Sequence, residues 1–331
     1  MPAEWEHQRA VQLTWPHENT DWKPYLDEAE QTFTELAKAI ADREDLIVVT
    51  PDRQRVEKRL GKAGNIVIVE AQTDDTWARD HGFITLVEEG GPCTRHMLDF
   101  RFNGWGEKFP ADNDNLINKR LFASGAVEGC YHDHNDFVLE GGSIETDGKG
   151  TVFTTSMCLE APHRNQPLDH DQLDAALRQR LHAKRTVWLD HGQLIGDDTD
   201  GHIDTIVRCA PDDTLLYITC ANADDPQHAG LAALERQLKA LKTAEGNAYR
   251  LIALPTPAPM TFEGDRLPAT YANFLVVNGA VIVPTYQQPD NDSLAMRLIG
   301  TAFPDREIIG IDASVIVRQH GSLHCLTMQY Y

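Results

Sequence analysis

One cysteine of the chain has the neighbours of a reactive thiol. Cys325 ends the segment Gly321-Ser322-Leu323-His324-Cys325, in which the glycine and serine indicate a tight turn close to a ligand. A buried cysteine is more often an inert apolar residue. That interpretation suits the cysteines in strand-like runs, which are Cys158, Cys209 and Cys220. Cys325 is therefore the candidate nucleophile.

A cysteine nucleophile needs an acid–base group and usually a carboxylate that orients it. His202 and Glu140 can fill those roles if the chain brings them to Cys325. A cysteine peptidase would use the same pair of residue types. The segment His132-Asp133-His134 could bind a metal, but an ordinary polar loop explains it better.

The densest polar cluster covers residues 196–204 and contains Asp198, His202 and Asp204. A calcium loop in this register would need acidic residues where Gly196 and Val207 stand. A zinc site could use His202 and Asp204, but a third ligand has no obvious source. A solvated turn is the remaining structural alternative. We expect no metal and no organic cofactor.

Carboxylates near a thiol raise its pKa and suppress the thiolate, so Asp80 and Asp204 beside Cys325 would oppose catalysis. A substrate that carries a permanent cation removes this conflict. A guanidinium is planar and offers forked donors that pair with carboxylates. Asp80 and Asp204 could each hold one edge of it, with the central carbon facing the thiol. The residues therefore indicate chemistry on a guanidinium.

The candidate polar residues recur along the chain. Asp80, Glu140 and His202 follow one another at intervals of about 60 residues, and Cys325 lies about two intervals further on. Stepping back from Asp80 leads to residues 15–18, and stepping forward from His202 leads to residues 263–273. The sequence can be read as five units arranged around a centre.

Short apolar strands alternate with amphipathic helices, which predicts an α/β protein without a long linker. The predicted strands cover residues 46–50, 65–70, 83–87, 137–140, 151–155, 186–190, 203–209, 215–220, 249–254, 274–277, 280–284, 307–311 and 314–318. The predicted helices cover residues 22–41, 52–63, 113–124, 169–183, 226–242 and 290–301. We expect one domain over residues 1–331.

The net charge of −21 argues against nucleic acid or an anionic membrane as a partner and permits a cationic substrate. The six cysteines form no C-x-x-C pair, which favours a reduced, cytoplasmic protein. The first residues lack the pattern of a signal peptide, and no apolar run reaches the length of a membrane span.

The chain resembles the agmatine deiminases of the guanidine-modifying superfamily, which includes arginine deiminases and peptidylarginine deiminases. The shared segments run from end to end. They are Pro2-Ala3-Glu4-Trp5-Glu6, Trp15-Pro16-His17, Thr76-Trp77-Ala78-Arg79-Asp80, Phe102-Asn103-Gly104-Trp105-Gly106, Leu139-Glu140-Gly141-Gly142-Ser143-Ile144-Glu145, Asp200-Gly201-His202-Ile203-Asp204, Tyr271-Ala272-Asn273-Phe274, Val281-Ile282-Val283-Pro284 and His324-Cys325. Residues 319–323 depart from the Gly-rich stretch that many relatives carry there.

The resemblance implies a five-bladed α/β propeller, or pentein, with the active site in its central channel. It also implies residue roles: Cys325 as nucleophile, His202 as general acid and base, and Glu140 as the partner of His202. Asp80 and Asp204 would bind the guanidinium. Trp77 would line the pocket, and Asp198 would receive the ammonium tail of agmatine.

The implied reaction is hydrolysis of agmatine to N-carbamoylputrescine and ammonia through a covalent thiouronium on Cys325, a step towards putrescine and polyamines. Free arginine or peptidylarginine is the alternative substrate, and an amidinotransferase would share the first half-reaction. A non-catalytic binding protein on the same fold is a further alternative. The small cationic guanidine is the expected partner, and a homo-oligomer is compatible with the sequence.

Overall fold

Five sheets with the same connectivity form the framework of the computed structural model, which describes residues 1–331. The strands are β1 (Ala10–Thr14), β2 (Asp45–Thr50), β3 (Ile66–Glu70), β4 (Ile84–Val87), β5 (Arg95–Arg101), β6 (Cys130–Val138), β7 (Ile144–Thr146), β8 (Thr151–Thr155), β9 (Arg185–Leu189), β10 (Val207–Ala210), β11 (Thr214–Thr219), β12 (Arg250–Pro255), β13 (Thr261–Phe262), β14 (Asp265–Arg266), β15 (Leu275–Val277), β16 (Ala280–Thr285), β17 (Glu307–Asp312) and β18 (Thr327–Tyr330).

Helices connect the strands on the outside of each sheet. The α-helices are α1 (Leu26–Ala41), α2 (Arg53–Leu60), α3 (Ala78–His81), α4 (Gly104–Glu107), α5 (Ile117–Ser124), α6 (Ser156–Leu159), α7 (His170–Leu181), α8 (His228–Ala240) and α9 (Pro289–Ala302). The 3-10 helices are Lys23–Tyr25, Asp114–Leu116, Gly141–Ser143, Ile203–Thr205 and Ile316–Gln319. None of these helices combines the length and apolar composition that a bilayer crossing requires.

Each sheet is one blade of the predicted propeller. Its first strand runs antiparallel to the second, and a helical crossover leads to a third strand parallel to the second. The sheets are β4-β5-β6, β7-β8-β9, β10-β11-β12, β15-β16-β17 and β18-β1-β2-β3, with a separate hairpin of β13 and β14. The five units predicted from the spacing of polar residues are therefore present.

The first blade is assembled from distant parts of the chain. β18 pairs antiparallel with β1, so that Tyr330 lies opposite Ala10, and α2 with β3 extends the blade beyond the shared pattern. The spacing placed the polar residue of one unit at residues 15–18, and that prediction is wrong. Trp15 directly follows β1, the second strand of this blade, and Cys325 precedes its first strand. The spacing also placed a polar residue at residues 263–273, and there Asn273 precedes β15.

Local sequence explains the helices well. All six predicted helices are confirmed, because each has a capping residue or an apolar face that packs on a sheet. Asp169 forms a capping box with Gln172 at the start of α7. Helix α1 buries Phe33, Leu36 and Ile40 against the largest apolar core.

Two strand predictions are wrong. Residues 314–318 form no strand, because the chain turns into the 3-10 helix Ile316–Gln319. The strand predicted from residue 203 begins at Val207, because residues 203–205 form a helical turn. Six strands were not predicted: β1, β5, β7, β13, β14 and β18. Of β6, only its last residues fall within a predicted strand.

The expectation of six reduced cysteines is wrong for one pair. Cys93 and Cys130 form a disulfide, with their Cα atoms 6.2 Å apart. Cys93 lies in the turn between β4 and β5, and β5 pairs with β6 so that His96 is opposite Cys130. The sheet register brings together two cysteines that are far apart in sequence. The free cysteines are Cys158, Cys209, Cys220 and Cys325.

Candidate active site

Short turns directly before the first strands of the blades carry the polar residues. Asp80 lies in α3 before β4, Glu140 precedes the turn before β7, and Asp204 lies in the turn before β10. Asn273 and Cys325 hold the corresponding positions before β15 and β18. The side chains from these turns contact one another, so the blades converge on one site.

Cys325 is buried at this centre. The side-chain oxygen of Asn273 accepts hydrogen bonds from the backbone N–H of Cys325 at 3.2 Å and from its Sγ at 3.3 Å. The nearest carboxylate oxygen is Asp204 Oδ2, at 3.7 Å from Sγ. Burial, and then the charges of Asp204 and Asp80, raise the pKa of Cys325 well above its ordinary value. In the absence of a cation the residue is a thiol.

Asp80 lies on one side of Cys325, and both its oxygens are hydrogen-bonded. Oδ1 accepts from the N–H of Gly142 at 3.0 Å, and Oδ2 accepts from Nε1 of Trp105 at 2.9 Å. Burial raises the pKa of Asp80 to about 6, with the positive charge of His202 opposing and the charge of Asp204 adding to this shift. A Cβ on Gly142 would lie 2.8 Å from Oδ1, so the close approach requires glycine.

Asp204 lies on the other side and has a different environment. Oδ2 accepts hydrogen bonds from Nδ1 of His324 at 2.7 Å and from Nδ2 of Asn273 at 3.2 Å. Oδ1 is buried and has no partner. Although burial alone would raise it, the pKa of Asp204 is lowered, because His324 donates to the carboxylate and adds positive charge. One oxygen of an ionised carboxylate thus remains open.

His202 is buried, and neither ring nitrogen has a hydrogen-bond partner. Its Nδ1 lies 3.7 Å from Oδ1 of Asp80. A ring nitrogen of His202, a carboxylate oxygen of Glu140 and Sγ of Cys158 lie within 4.8 Å of one another. Burial lowers the pKa of His202, but Asp80, Cys158 and Glu140 outweigh it and raise the pKa well above its ordinary value. An imidazolium is therefore available beside Asp80, which lines the same cavity as Cys325.

Glu140, the expected partner of His202, makes no hydrogen bond with it. Its carboxylate accepts from Nε of Arg164 at 3.0 Å, and both side chains are fully buried. Arg164 also donates to Asp200 at 2.7 Å and to the carbonyl of Thr199 at 2.8 Å. Glu140 therefore acts on His202 through its charge and proximity, while Arg164 fixes its orientation.

A cavity of about 170 Å³ opens above Cys325. Trp77 and Asp198 line it, and Nε1 of Trp77 donates to Asp75 at 3.0 Å. Burial raises the pKa of Asp198. The cavity is acidic and aromatic, without a lysine or arginine in its lining, which is Asp21, Asp75, Trp77, Asp80, Trp105, Phe109, Asp198, Thr199, Thr205, Gln319, His320, Gly321 and Cys325.

Two groups of three buried side chains have ligand atoms close enough to hold a metal ion. They are Glu140 with Cys158 and His202, and Glu4 with Glu145 and His324. Each group already contains a guanidinium, because Arg164 bonds to Glu140 and Arg208 bonds to both Glu4 and Glu145. The arginines supply the positive charge that these carboxylates need.

Several residues at this site have no role predicted from the sequence. Asn273, Trp105 and His324 lie in segments that the resemblance covers, but their spacing did not distinguish them. Arg164 had no signal in the sequence. Cys158 was interpreted as an inert apolar residue, and the structure places it beside His202.

The chain is similar to known proteins that are described as deiminases. The model of the Porphyromonas-type peptidyl-arginine deiminase family matches residues 1–330. A solved structure from Porphyromonas gingivalis, described as a putative arginine deiminase, is 48% identical, with a TM-score of 0.94 and coverage of 100% of this chain and 97% of that chain. A Cys-to-Ser variant of the C. jejuni agmatine deiminase with substrate bound is 37% identical, with a TM-score of 0.91 and coverage of 100% and 95%. A putative agmatine deiminase of Marinomonas sp. is 31% identical over 99% of this chain and 93% of its own length.

Proposed function

Because the chain belongs to the Porphyromonas-type peptidyl-arginine deiminase family, we propose that it hydrolyses the guanidinium group of agmatine to N-carbamoylputrescine and ammonia. One observation carries the proposal. Cys325 and Asp80 line an acidic cavity, Asp204 lies 3.7 Å from Sγ of Cys325, and His202 lies 3.7 Å from Asp80. This arrangement suits a planar cation that must be attacked at its central carbon.

Substrate binding activates the nucleophile in this mechanism. The guanidinium pairs with Asp80 and with the open Oδ1 of Asp204, and its charge offsets the two carboxylates that raise the pKa of Cys325. The thiol then loses its proton to solvent more readily, and His202 keeps its own proton for the leaving nitrogen. Holding the planar carbon against the sulfur lowers the activation barrier. We expect this orientation to contribute several kcal/mol, on the order of half of what it contributes in well-oriented intramolecular reactions.

The chemistry has two halves. Cys325 Sγ forms a bond to the guanidinium carbon, and His202 gives a proton to the departing nitrogen as the C–N bond breaks, which releases ammonia and leaves a thiouronium on the cysteine. Water then attacks the same carbon while His202 takes its proton. The C–S bond breaks, the carbamoyl product leaves and the thiol is regenerated.

The remaining residues hold and select the substrate. Trp77 forms a wall of the cavity, and Asp198 receives the terminal ammonium of agmatine. Glu140, fixed by Arg164, maintains the positive charge of His202. We also propose that residues 1–331 form one catalytic domain and that the enzyme is cytoplasmic.

Free arginine is the second candidate substrate, because the relative from Porphyromonas gingivalis is described as an arginine deiminase. The cavity disfavours it. An α-carboxylate beside Asp21, Asp75 and Asp198 would meet like charge, and the lining offers no arginine or lysine as a counterion.

Ammonia release from agmatine, L-arginine and a blocked arginine amide tests the substrate. We expect agmatine to react fastest, and a preference for either arginine compound would overturn the assignment. Cys325→Ala should abolish turnover, whereas Cys220→Ala, a change at a free cysteine outside the cavity, should not. Mass spectrometry of the enzyme during turnover should find an amidino adduct on Cys325, and turnover by Cys325→Ala would refute the covalent mechanism.

A further inference from the structure

A second histidine, His324, is buried directly before the nucleophile and bonds to two carboxylates. Its Nδ1 lies 2.7 Å from Oδ2 of Asp204, and its Nε2 lies 2.8 Å from Oε2 of Glu4. An ionised carboxylate only accepts hydrogen bonds, so each ring nitrogen must carry a hydrogen. A neutral imidazole has one N–H and would leave one of these short contacts between two lone pairs. A ring that donates from both nitrogens, as an imidazolium does, satisfies both contacts.

Glu4 is fixed at the other end of this arrangement, although 320 residues separate it from His324 in the sequence. Its Oε1 accepts from the N–H of Val276 at 2.8 Å, and its Oε2 also accepts from Arg208 at 2.5 Å. Arg208 in turn bonds to Glu145. The position and the charge of Glu4 are thus set by groups that never approach the substrate cavity.

These contacts determine which oxygens of Asp204 are occupied and whether its carboxyl is ionised. His324 and Asn273 occupy Oδ2, and Oδ1 has no partner. A buried carboxyl without a cation beside it would take up a proton, and a protonated carboxyl cannot accept two forked donors from a guanidinium. Asp80 has His202 at 3.7 Å but no hydrogen bond to it, and burial raises the pKa of Asp80 to about 6.

We propose that His324 and Glu4 are positioning residues of the deiminase reaction: the His324 imidazolium, held by Glu4, keeps Asp204 ionised with Oδ1 open to the substrate. This inference rests on the proposed function. His324 touches neither the substrate cavity nor Sγ of Cys325 in the contacts above, so it acts through Asp204.

The expected signature is a change in pH dependence. Other charged or titratable groups face His324 and Asp204, namely Glu4, Arg79, Asp80, Glu145, His202, Arg208 and Cys325. Loss of the imidazolium removes the opposite charge that lowers the pKa of Asp204. The acid limb of kcat/KM should then move to higher pH by roughly 1–3 units, the usual effect of a neighbouring opposite charge.

His324→Asn is the decisive variant, because the asparagine amide can still donate to Asp204 but carries no charge. We expect the acid limb to move upward and activity to recover at high pH. Glu4→Gln should move the acid limb in the same direction by a smaller amount. This variant tests the proposal if His324→Asn fails to fold. Glu6→Gln, an exposed carboxylate in the same segment, is the matched control. An unmoved acid limb in a folded His324→Asn or Glu4→Gln would overturn the proposal.

A second readout does not depend on the substrate. In ¹⁵N-histidine NMR of the wild-type protein, the signals absent from His324→Asn should show both nitrogens protonated at pH 7.5. A neutral tautomer would overturn the inference even if agmatine is hydrolysed. If the wild type does not hydrolyse agmatine although His324 is protonated, the proposed function is refuted and the inference is not. The pH profile would then be measured with the guanidinium compound that does react.

Discussion

Two buried histidines belong to the cluster of polar residues around Cys325, and each stands between carboxylates with an arginine beyond them. We call these groups the His202 side and the His324 side. The His202 side is Asp80, His202, Glu140 and Arg164; the His324 side is Asp204, His324, Glu4 and Arg208. The same four residue types thus occur twice around one thiol.

The two sides differ in how tightly the imidazole is held. His324 makes contacts of 2.7 and 2.8 Å, whereas His202 comes no closer than 3.7 Å to Asp80 and has no hydrogen bond. A proton that leaves His324 would break a short contact between opposite charges. A proton on His202 can pass to a reacting group without that loss. Loose holding suits proton transfer, and tight holding supplies a fixed charge.

Removing the loosely held imidazole should have the largest effect on the rate. His202→Asn should lower kcat by about 10²–10⁴-fold, the usual contribution of general acid–base catalysis. Thermal stability should also fall, because the raised pKa of His202 shows that the folded protein favours its imidazolium, and the variant leaves Asp80 and Glu140 without that charge. Steady-state ammonia release and a thermal melt measure both. A variant that keeps a tenth of wild-type kcat would show that His202 is not the proton carrier.

Crowding the His202 side without removing a functional group should have the next largest effect. In Gly142→Ala the new Cβ would lie 2.6 Å from Nδ1 of His202 and 2.8 Å from Oδ1 of Asp80, so one of them must move. A displacement of this kind costs about 10²-fold in rate. Gly230→Ala, on an outer helix where a Cβ meets nothing within 4 Å, is the control. Equal rates for both variants would contradict the tight geometry.

Neutralising the two clamping carboxylates should change stability in opposite directions. Asp80→Asn should gain on the order of 2 kcal/mol in the free energy of unfolding at pH 7.5, because burial raises the pKa of Asp80 to about 6. Asp204→Asn should lose stability, because the pKa of Asp204 is lowered. Both variants should lose most of their activity. Urea denaturation measures the difference.

The pH dependence of these two effects follows from their signs. With a native pKa near 6 and an ordinary value of 3.8, Asp80 binds more protons in the native state between those values. Its contribution to stability therefore falls as pH rises through that window, and the advantage of Asp80→Asn should disappear near pH 4. The contribution of Asp204 is present above its ordinary pKa and is lost as pH falls through its lowered native pKa. Parallel curves for the two variants would refute the contrast between the sides.

The smallest effect should come from Cys158. Its thiol lies beside His202 and helps to raise the pKa of the imidazole, behind burial and the charge of Asp80. Cys158→Ala should lower that pKa, so the alkaline limb of kcat, where His202 loses its proton, should move to lower pH. The loss at neutral pH should be below about tenfold. A pH profile beside that of Cys220→Ala measures it, and a shift to higher pH would contradict the assignment.

The sequence predicted the content of the site better than its contacts. Asp80, Glu140, His202, Asp204 and Cys325 meet as expected, because each lies in a turn before the first strand of a blade. Repeated spacing and family segments carry that information. Helices were predicted well for a similar reason, since caps and apolar faces are local.

Contacts between blades could not be predicted in this way. Glu4 meets His324 across 320 residues of sequence, and Arg164 meets Glu140 from a loop without any motif. Cys93 meets Cys130 because of the register of one sheet. Such contacts depend on how the ring of blades closes, and neither periodicity nor residue type encodes that closure.

The pairing of β1 with β18 has a consequence for biosynthesis. A nascent chain that has not yet emerged as far as β18 has an incomplete first blade, and Cys325, two residues before β18, has not yet reached its place between the blades. The nucleophile thus reaches its pocket in the same event that joins the first and last strands. A partly synthesised chain never carries a reactive thiol in a finished pocket, so the enzyme becomes active only when its ring is complete.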